Sequence, residues 1–367
     1  MAMGSGKFVE NMALHIVESE TGAEMAAGVF VFVFMLAIIL SAYDSYKRAS
    51  IGKEPILLIF LFLLLFTLSI RESGIGDLDF LCEFFTLIVI DILLIKFLVS
   101  WYVLLFVTRQ PGSNHLGKPV LGLLPMASFI IIFHTLNNWA SFDVMDSPFY
   151  IAFYTVLGFA WIYIGLMLMF FFFDLSWRDD AINLNNRAAT VAIVGGFIAL
   201  TMIYAGANIG AGPGWWCVVY AGGLGVAAWI SFGKLINLFT DVFERITVER
   251  DFACSIRMCF YWLAGGLLLG RACAGDWTSF HMTNVEFADG WPIIPLTVLA
   301  ILIERYYIFR EKSENHNDRH HVLSSTICGI IFIIFAIVSL ALLPPLPVNP
   351  VYRNAELFIT AIQGVFL

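Results

Sequence analysis

An aspartate stands in the middle of an otherwise apolar run, Thr86-Leu87-Ile88-Val89-Ile90-Asp91-Ile92-Leu93-Leu94. Counted from a helix start at residue 80, Asp91 is about 11 residues in, and a rise of about 1.5 Å per residue puts it some 17 Å deep, near a bilayer's centre. A lone carboxylate at that depth costs several kcal/mol unless it is protonated or paired. Such a residue marks either an ion or proton path or a buried contact between helices. Lys96, five positions on, is about 140° further round the helix and does not share its face. Both readings of Asp91 stay open: a titrating site in transport, and a protonated group hydrogen-bonded to a neighbouring helix for packing.

A second polar group gathers where His134, Asn137 and Asn138 share one helix face, with Asp143 and Asp146 just beyond. Neutral imidazole and carboxylates can hold a divalent cation. One His with two loose carboxylates lacks the spacing of HExxH, however, and a hydrogen-bonded helix end accounts for the same residues. His281, Glu286 and Asp289 form a similarly sparse set. Arg257 and Lys234 lie within about two turns of a helix end and are expected to snorkel, as is Arg271 at the opposite end. Haem b would need facing histidines in apolar runs, and His134 is the one such residue, since His316, His320 and His321 belong to a charged loop. The Gly-rich stretch Gly206–Gly214 lacks the Lys-Ser/Thr ending of a phosphate loop and reads as a tight turn. Trp139, Trp215, Trp216, Trp277 and Trp291 read as an interfacial belt. With no GxSxG and no catalytic pair, the chain is not expected to be an enzyme, and no cofactor is implied.

The elements that must position these residues are membrane helices. With 60% hydrophobic and 13% charged residues, 367 residues cannot hide their apolar surface in a water-soluble core. Continuous runs such as Ile56–Ile70 show no period-2 alternation, which favours helices over a barrel. The fold class is therefore all-α and polytopic, with about ten transmembrane helices near 25–46, 55–70, 80–107, 119–138, 149–173, 188–208, 215–240, 252–273, 291–309 and 323–343. Glu10, Glu18, Glu20 and Glu24 precede the first apolar run, so no cleavable signal is expected. Val9, Met12, Ala13, Ile16 and Val17 suggest either a surface amphipathic helix or an unstructured tail.

Lys and Arg concentrate in alternate connections, 47–54, 109–118, 174–187, 241–251 and 310–321, which places those on the cytoplasmic side and both termini outside. The net charge of −8 comes almost wholly from the other face, which repels nucleic acid. Cys82, Cys217 and Cys273 sit near outer helix ends, where an oxidising periplasm permits a disulfide; small apolar filler is the alternative. The chain divides into an amphipathic outer-face segment (1–24), four helices (25–148), a four-helix core (149–277), two further helices (278–345) and a C-terminal outer-face segment (346–367).

The core reads as two similar hairpins. Asn186-Arg187-Ala188-Ala189 aligns with Asp251-Phe252-Ala253 some 65 residues on, and the returning helices carry the pairs Gly195-Gly196 and Gly265-Gly266. This is a parallel duplication rather than an inverted one. Those small residues, with Gly222-Gly223, allow close helix contact inside one chain or between chains. Asn185–Ala189 with Ala192 and Gly195, Tyr220-Ala221-Gly222-Gly223, Glu249-Arg250-Asp251 leading into Cys254–Arg271, and the closing Ala272–Trp277 resemble the YjfL-like family of bacterial inner-membrane proteins. The resemblance covers about residues 150–277, roughly a third of the chain. It departs at Asp251, where the family usually has Asn, and at Phe260, where a small residue is common. It implies a four-helix membrane core with no assigned reaction.

The expectation is thus a bacterial inner-membrane protein in contact with lipid, acting as a structural or assembly component within a homo-oligomer or a complex with other membrane subunits. The alternative is a channel or transporter for a small cation or proton using Asp91.

Overall fold

The computed structural model describes residues 79–107, 117–311 and 318–352. The expected helices near 25–46 and 55–70, the segment 1–24 and residues 353–367 lie outside the described residues. So does the side chain of Cys82.

Among the described residues the chain is helical, with no strand and one isolated bridge between Ala140 and Gly210. The helices are α1 (Asp79–Tyr102, continued by a π-helical turn Val103–Val107), α2 (Gly117–Asn138), α3 (Phe142–Met145), α4 (Pro148–Phe173), α5 (Arg187–Ala207) and α6 (Trp215–Thr240). They are followed by α7 (Val242–Thr247), α8 (Phe252–Ala272), α9 (Phe280–Phe287), α10 (Ile293–Glu311) and α11 (Asp318–Leu342). Seven stretches among the described residues are long and apolar enough to cross a membrane, so this is a helical membrane protein. Its surface agrees: Leu302, Phe309, Leu323 and Leu342 are among many large apolar side chains turned outward, where lipid rather than water is the natural solvent.

Two hairpins of matching size form the centre. α4 and α6 each have 26 residues, and α5 and α8 each have 21. The outgoing helices both stop at an aspartate in the left-handed conformation, Asp174 and Asp241. The returning helices both start on a side chain that accepts from the first free amides: Asn186 from Ala188 and Ala189, Asp251 from Cys254. Left-handed Asn185 and Arg250 immediately precede these caps, 65 positions apart, as are Gly210 and Gly275, both at positive φ. The Asn186 amide also donates to the carbonyls of Ile246 (2.8 Å) and Thr247 (3.2 Å), so one hairpin's cap ties down the other's turn.

α5 and α8 lie side by side and run the same way. A Cβ on Gly195 would fall 2.6 Å from Cys259 Cα, one on Gly266 2.7 Å from Ala199 Cα, and one on Gly206 2.1 Å from the Gly270 oxygen. These are backbone-to-backbone approaches that only glycine permits. Gly222 packs on Trp161 and Gly196 on Met169 and Trp262, while Gly223 is buried in α6. Gly265 departs from the pattern: its nearest neighbour would be Ile293 Cδ1 at 3.4 Å, ordinary contact with α10. The sequence pair Gly265-Gly266 thus has one member in the seam and one facing another helix.

Outside this pair, α2 packs on α5 and α11 on α8. At one end the four are stitched in a row by backbone bonds: Gly210 N to Trp139 O, Gly275 N to Ile209 O, Trp277 N to Ala211 O, and Asp276 N to Pro347 O, at 2.7–3.0 Å. We call this the acidic end, after Asp143, Asp146, Asp276, Glu286 and Asp289. The opposite, basic end holds the hairpin turns with Arg178, Arg187, Arg245 and Arg250.

Candidate functional site

The most concentrated chemistry sits near the basic end and is buried. Arg257, on the second turn of α8, does not snorkel: it is 2% exposed. Its Nε and Nη2 donate to the two oxygens of Glu304 on α10, the Nη2 bond at 2.7 Å, in a bidentate fork. Its Nη1 donates to Ser325 Oγ on α11 at 2.6 Å, and its guanidinium carbon lies 4.0 Å from the centre of the Tyr307 ring. Arg245, on α7, donates to Glu304 at 3.1 Å and to Asp251, the cap of α8. Cys254 Sγ is 3.6 Å from Glu304 Oε2. Two guanidinium groups thus face two enclosed carboxylates, Asp251 and Glu304, with exposed Glu249 at the rim, 4.0 Å from Arg245 Nε. The four enclosed groups are neutral as a set and tie α7, α8, α10 and α11 together, which is the condition for carrying charge inside a low-dielectric bundle.

The turn between α4 and α5 carries a smaller version. Asp180 accepts from the Ser176 amide at 2.7 Å, and burial pushes its carboxyl above the ordinary 3.8 against that bond, with Asp179 and Asp174 adding to the rise. This group lies in the connection, outside the spanning helices.

At the acidic end a cavity of about 50 Å3 lies between the hairpins, lined among others by Asn208, Gly210, Cys217, Cys273, Asp276 and Glu286. The Asp276 carboxylate is consumed in structure: one oxygen accepts from Ala211 N (2.8 Å) and the other from Asn349 N (2.9 Å). Arg271 is likewise tied, donating to Pro344 O at 2.7 Å. Cys217 and Cys273 are buried free thiols. Trp216, Trp277 and Phe280 pack edge to face, and Trp215, at 4% exposure, belongs to the core rather than to an interfacial belt.

The residues singled out by sequence are dispersed. Asp91 is half-buried on the flank of α1, while Ile90, Leu93, Phe97 and Trp101 take that helix's inward stripe. Neither Asp91 nor the exposed Lys96 has a hydrogen bond or ion pair to another described residue. His134 pairs with the Asn138 amide, Nδ2 to Nδ1 at 3.2 Å, and Asn138 also donates to the His134 carbonyl. Asp143 accepts instead from Ser141 Oγ, and Asp146 terminates α3. Among the described residues no three His, Cys, Asp or Glu side chains converge as metal ligands.

Glu304 escaped the sequence reading. It follows Ile301-Leu302-Ile303 and precedes Arg305, so hydropathy takes it for the edge of an apolar run. The usable signal is a count: Arg257 and Glu304 are opposite charges each about two turns inside a helix entering from the same side. No family model, no curated protein and no solved structure matches the chain.

Proposed function

We propose that the protein is a non-enzymatic component of a membrane assembly, resident in a bacterial inner membrane with both termini on the outer side. The observation that carries this reading is how charge is disposed of inside the bundle. Arg245, Asp251, Arg257 and Glu304 neutralise one another and lock four helices instead of lining a route. The acidic-end cavity, at about 50 Å3, is far below the roughly 300–1,000 Å3 of ordinary ligand pockets. The matched caps, lengths and 65-residue offsets of the hairpins support a parallel duplication. The resemblance to YjfL-like proteins rests on the sequence of those same turns.

The test is reconstitution into sealed vesicles loaded with a pH-sensitive dye, with a potassium gradient imposed. Proton or cation flux equal to that of protein-free vesicles is expected; flux well above that background overturns the reading. One observation favours a second reading, a cation or proton path: Asp91 lies deep along an apolar helix without a partner among the described residues. On that reading Asp91→Asn would keep the protein folded and abolish the flux.

A further inference from the structure

α1 carries two ionisable residues on or beside its outward face, and their placement follows a rule. Ile92, Ile95 and Val99 are 59%, 63% and 57% exposed. Set on a heptad with Ile92 at a, they fall at a, d and a. Asp91 then takes g and Lys96 takes the following e. In a parallel coiled coil a g residue meets the e residue five positions on in the partner helix, which is the spacing from Asp91 to Lys96. Seen down the axis, Asp91 lies about 80° to one side of Val99 and Lys96 about 60° to the other. A two-fold axis beside Val99 brings the left flank of one helix against the right flank of its mate. The offset of about 7.5 Å along the axis is closed by the Lys side chain, which points back toward its own helix N-terminus.

Lipid is a poor occupant for this face. Hydrocarbon solvates the apolar stripe, but a carboxylate and an ammonium at mid-helix face protein or pair with one another. Copies inserted in the same sense present these faces in parallel, as a two-fold dimer requires.

We infer that this face of α1 is the interface with a second copy of the chain, an isologous parallel dimer with the Ile92, Ile95 and Val99 stripe at its centre and two reciprocal Asp91–Lys96 pairs on its flanks. The inference rests on the assembly reading above and names the partner.

The test uses full-length protein labelled with donor or acceptor dyes in vesicles of phosphatidylethanolamine and phosphatidylglycerol. Energy transfer is followed as the protein-to-lipid ratio is varied, and thermal unfolding is followed in parallel. Wild-type protein is expected to dimerise. Asp91→Lys alone and Lys96→Asp alone each set like charges across the interface, and each is expected to weaken dimerisation about tenfold. Mixed in equal amounts, the two variants present opposite charges at all four positions and are expected to regain wild-type pairing, as is the double variant Asp91→Lys/Lys96→Asp. The inference is overturned by a wild-type monomer at every ratio, by single variants that pair as well as wild type, or by mixed variants that stay apart while unfolding at the wild-type temperature. A monomer without flux removes the dimer and leaves the non-transport reading standing; flux removes that reading whatever the oligomeric state.

Discussion

Glu304→Gln is the perturbation that most directly probes the buried network. The wild-type cluster balances Arg245 and Arg257 against Asp251 and Glu304, with Glu304 taking both donors of the Arg257 fork and one from Arg245. An amide keeps the shape but offers one acceptor oxygen in place of two and turns its own N–H groups toward a guanidinium. One positive charge is left uncompensated on residues that are at most 8% exposed. Removing one partner of a buried pair costs about 3–5 kcal/mol, whereas replacing the pair by apolar groups of similar volume is often neutral or stabilising. The double variant Arg257→Met/Glu304→Leu leaves Arg245 and Asp251 paired and removes the partners of Arg245 Nη1, Cys254 Sγ and Ser325 Oγ. It strands polar groups but no uncompensated charge, and is therefore expected to lose less than Glu304→Gln. Unfolding in mixed micelles by titrated dodecyl sulfate, followed by tryptophan fluorescence, gives the three free energies. A loss under about 1 kcal/mol for Glu304→Gln, or a double variant worse than the single, would show that the cluster is not a neutral unit whose members depend on one another.

Gly206→Ala is expected to lose about 1–3 kcal/mol in the same titration, because the new Cβ meets the Gly270 carbonyl at 2.1 Å and neither backbone can yield. Gly265→Ala, with only Ile293 Cδ1 at 3.4 Å, should be neutral or slightly stabilising, and equal losses at both sites would contradict the α5–α8 seam. Asn186→Ala removes a helix cap and the amide that donates to two carbonyls of the other hairpin's turn, an expected loss of about 2–3 kcal/mol, while Asn186→Asp keeps the cap but sets a buried carboxylate oxygen against the Ile246 and Thr247 carbonyls and should lose at least as much. For Asp180 the sign follows from its raised folded value: the folded state favours the protonated form, so this group's contribution declines as pH rises from 3.8 through that value. Asp180→Asn should stabilise at neutral pH and lose the advantage toward pH 3.8, with melting temperatures at both pH values as the check. For orientation, a thiol introduced at exposed Leu184 in a cysteine-free background should resist an impermeant reagent in intact cells and one at exposed Thr278 should react; the reverse labelling would invert the topology.

How much of this was legible follows from what each signal encodes. Among the described residues helix positions came through because apolar length is written residue by residue. Asn186 and Asp251 were legible only as matching turn residues; that each accepts from amides two or three positions on and caps its helix emerges from the structure. The glycine seam was half legible. A Gly-Gly pair says that some face is thin but not which member lies on it, and only packing puts Gly266 against Ala199 and Gly265 toward Ile293. The two Gly pairs stand 70 residues apart where the caps Asn186 and Asp251 stand 65 apart, because Gly195 meets Cys259 and Gly266 meets Ala199, so they mark two successive levels of one seam rather than equivalent places. The ion network was illegible to hydropathy because Arg257 and Glu304 each read as a helix edge. Their significance is mutual, across 47 residues of chain.

The two departures from the YjfL-like pattern gain meaning from the same packing. On the proposed family reading, Asp251 puts a carboxylate where an uncharged amide is usual, and Phe260 puts a large ring where a small residue is common. Asp251 is paired with Arg245, whose guanidinium reaches on to Glu304 of α10. The ring of Phe260 lies over Gly329 of α11, where a Cβ would fall 2.5 Å from it. Glu304 and Gly329 both belong to the helices that follow the resembling segment. The bulk of Phe260 thus has its answer in Gly329 of α11, while Asp251 is met by Arg245 within the core, and Glu304 of α10 answers the remaining cation, Arg257. Helices acquired as passive appendages would require neither. The interlock therefore argues that α10 and α11 are integral to the bundle, and that the core as it stands in this chain would carry an unbalanced cation at Arg257 and an uncovered aromatic face without them.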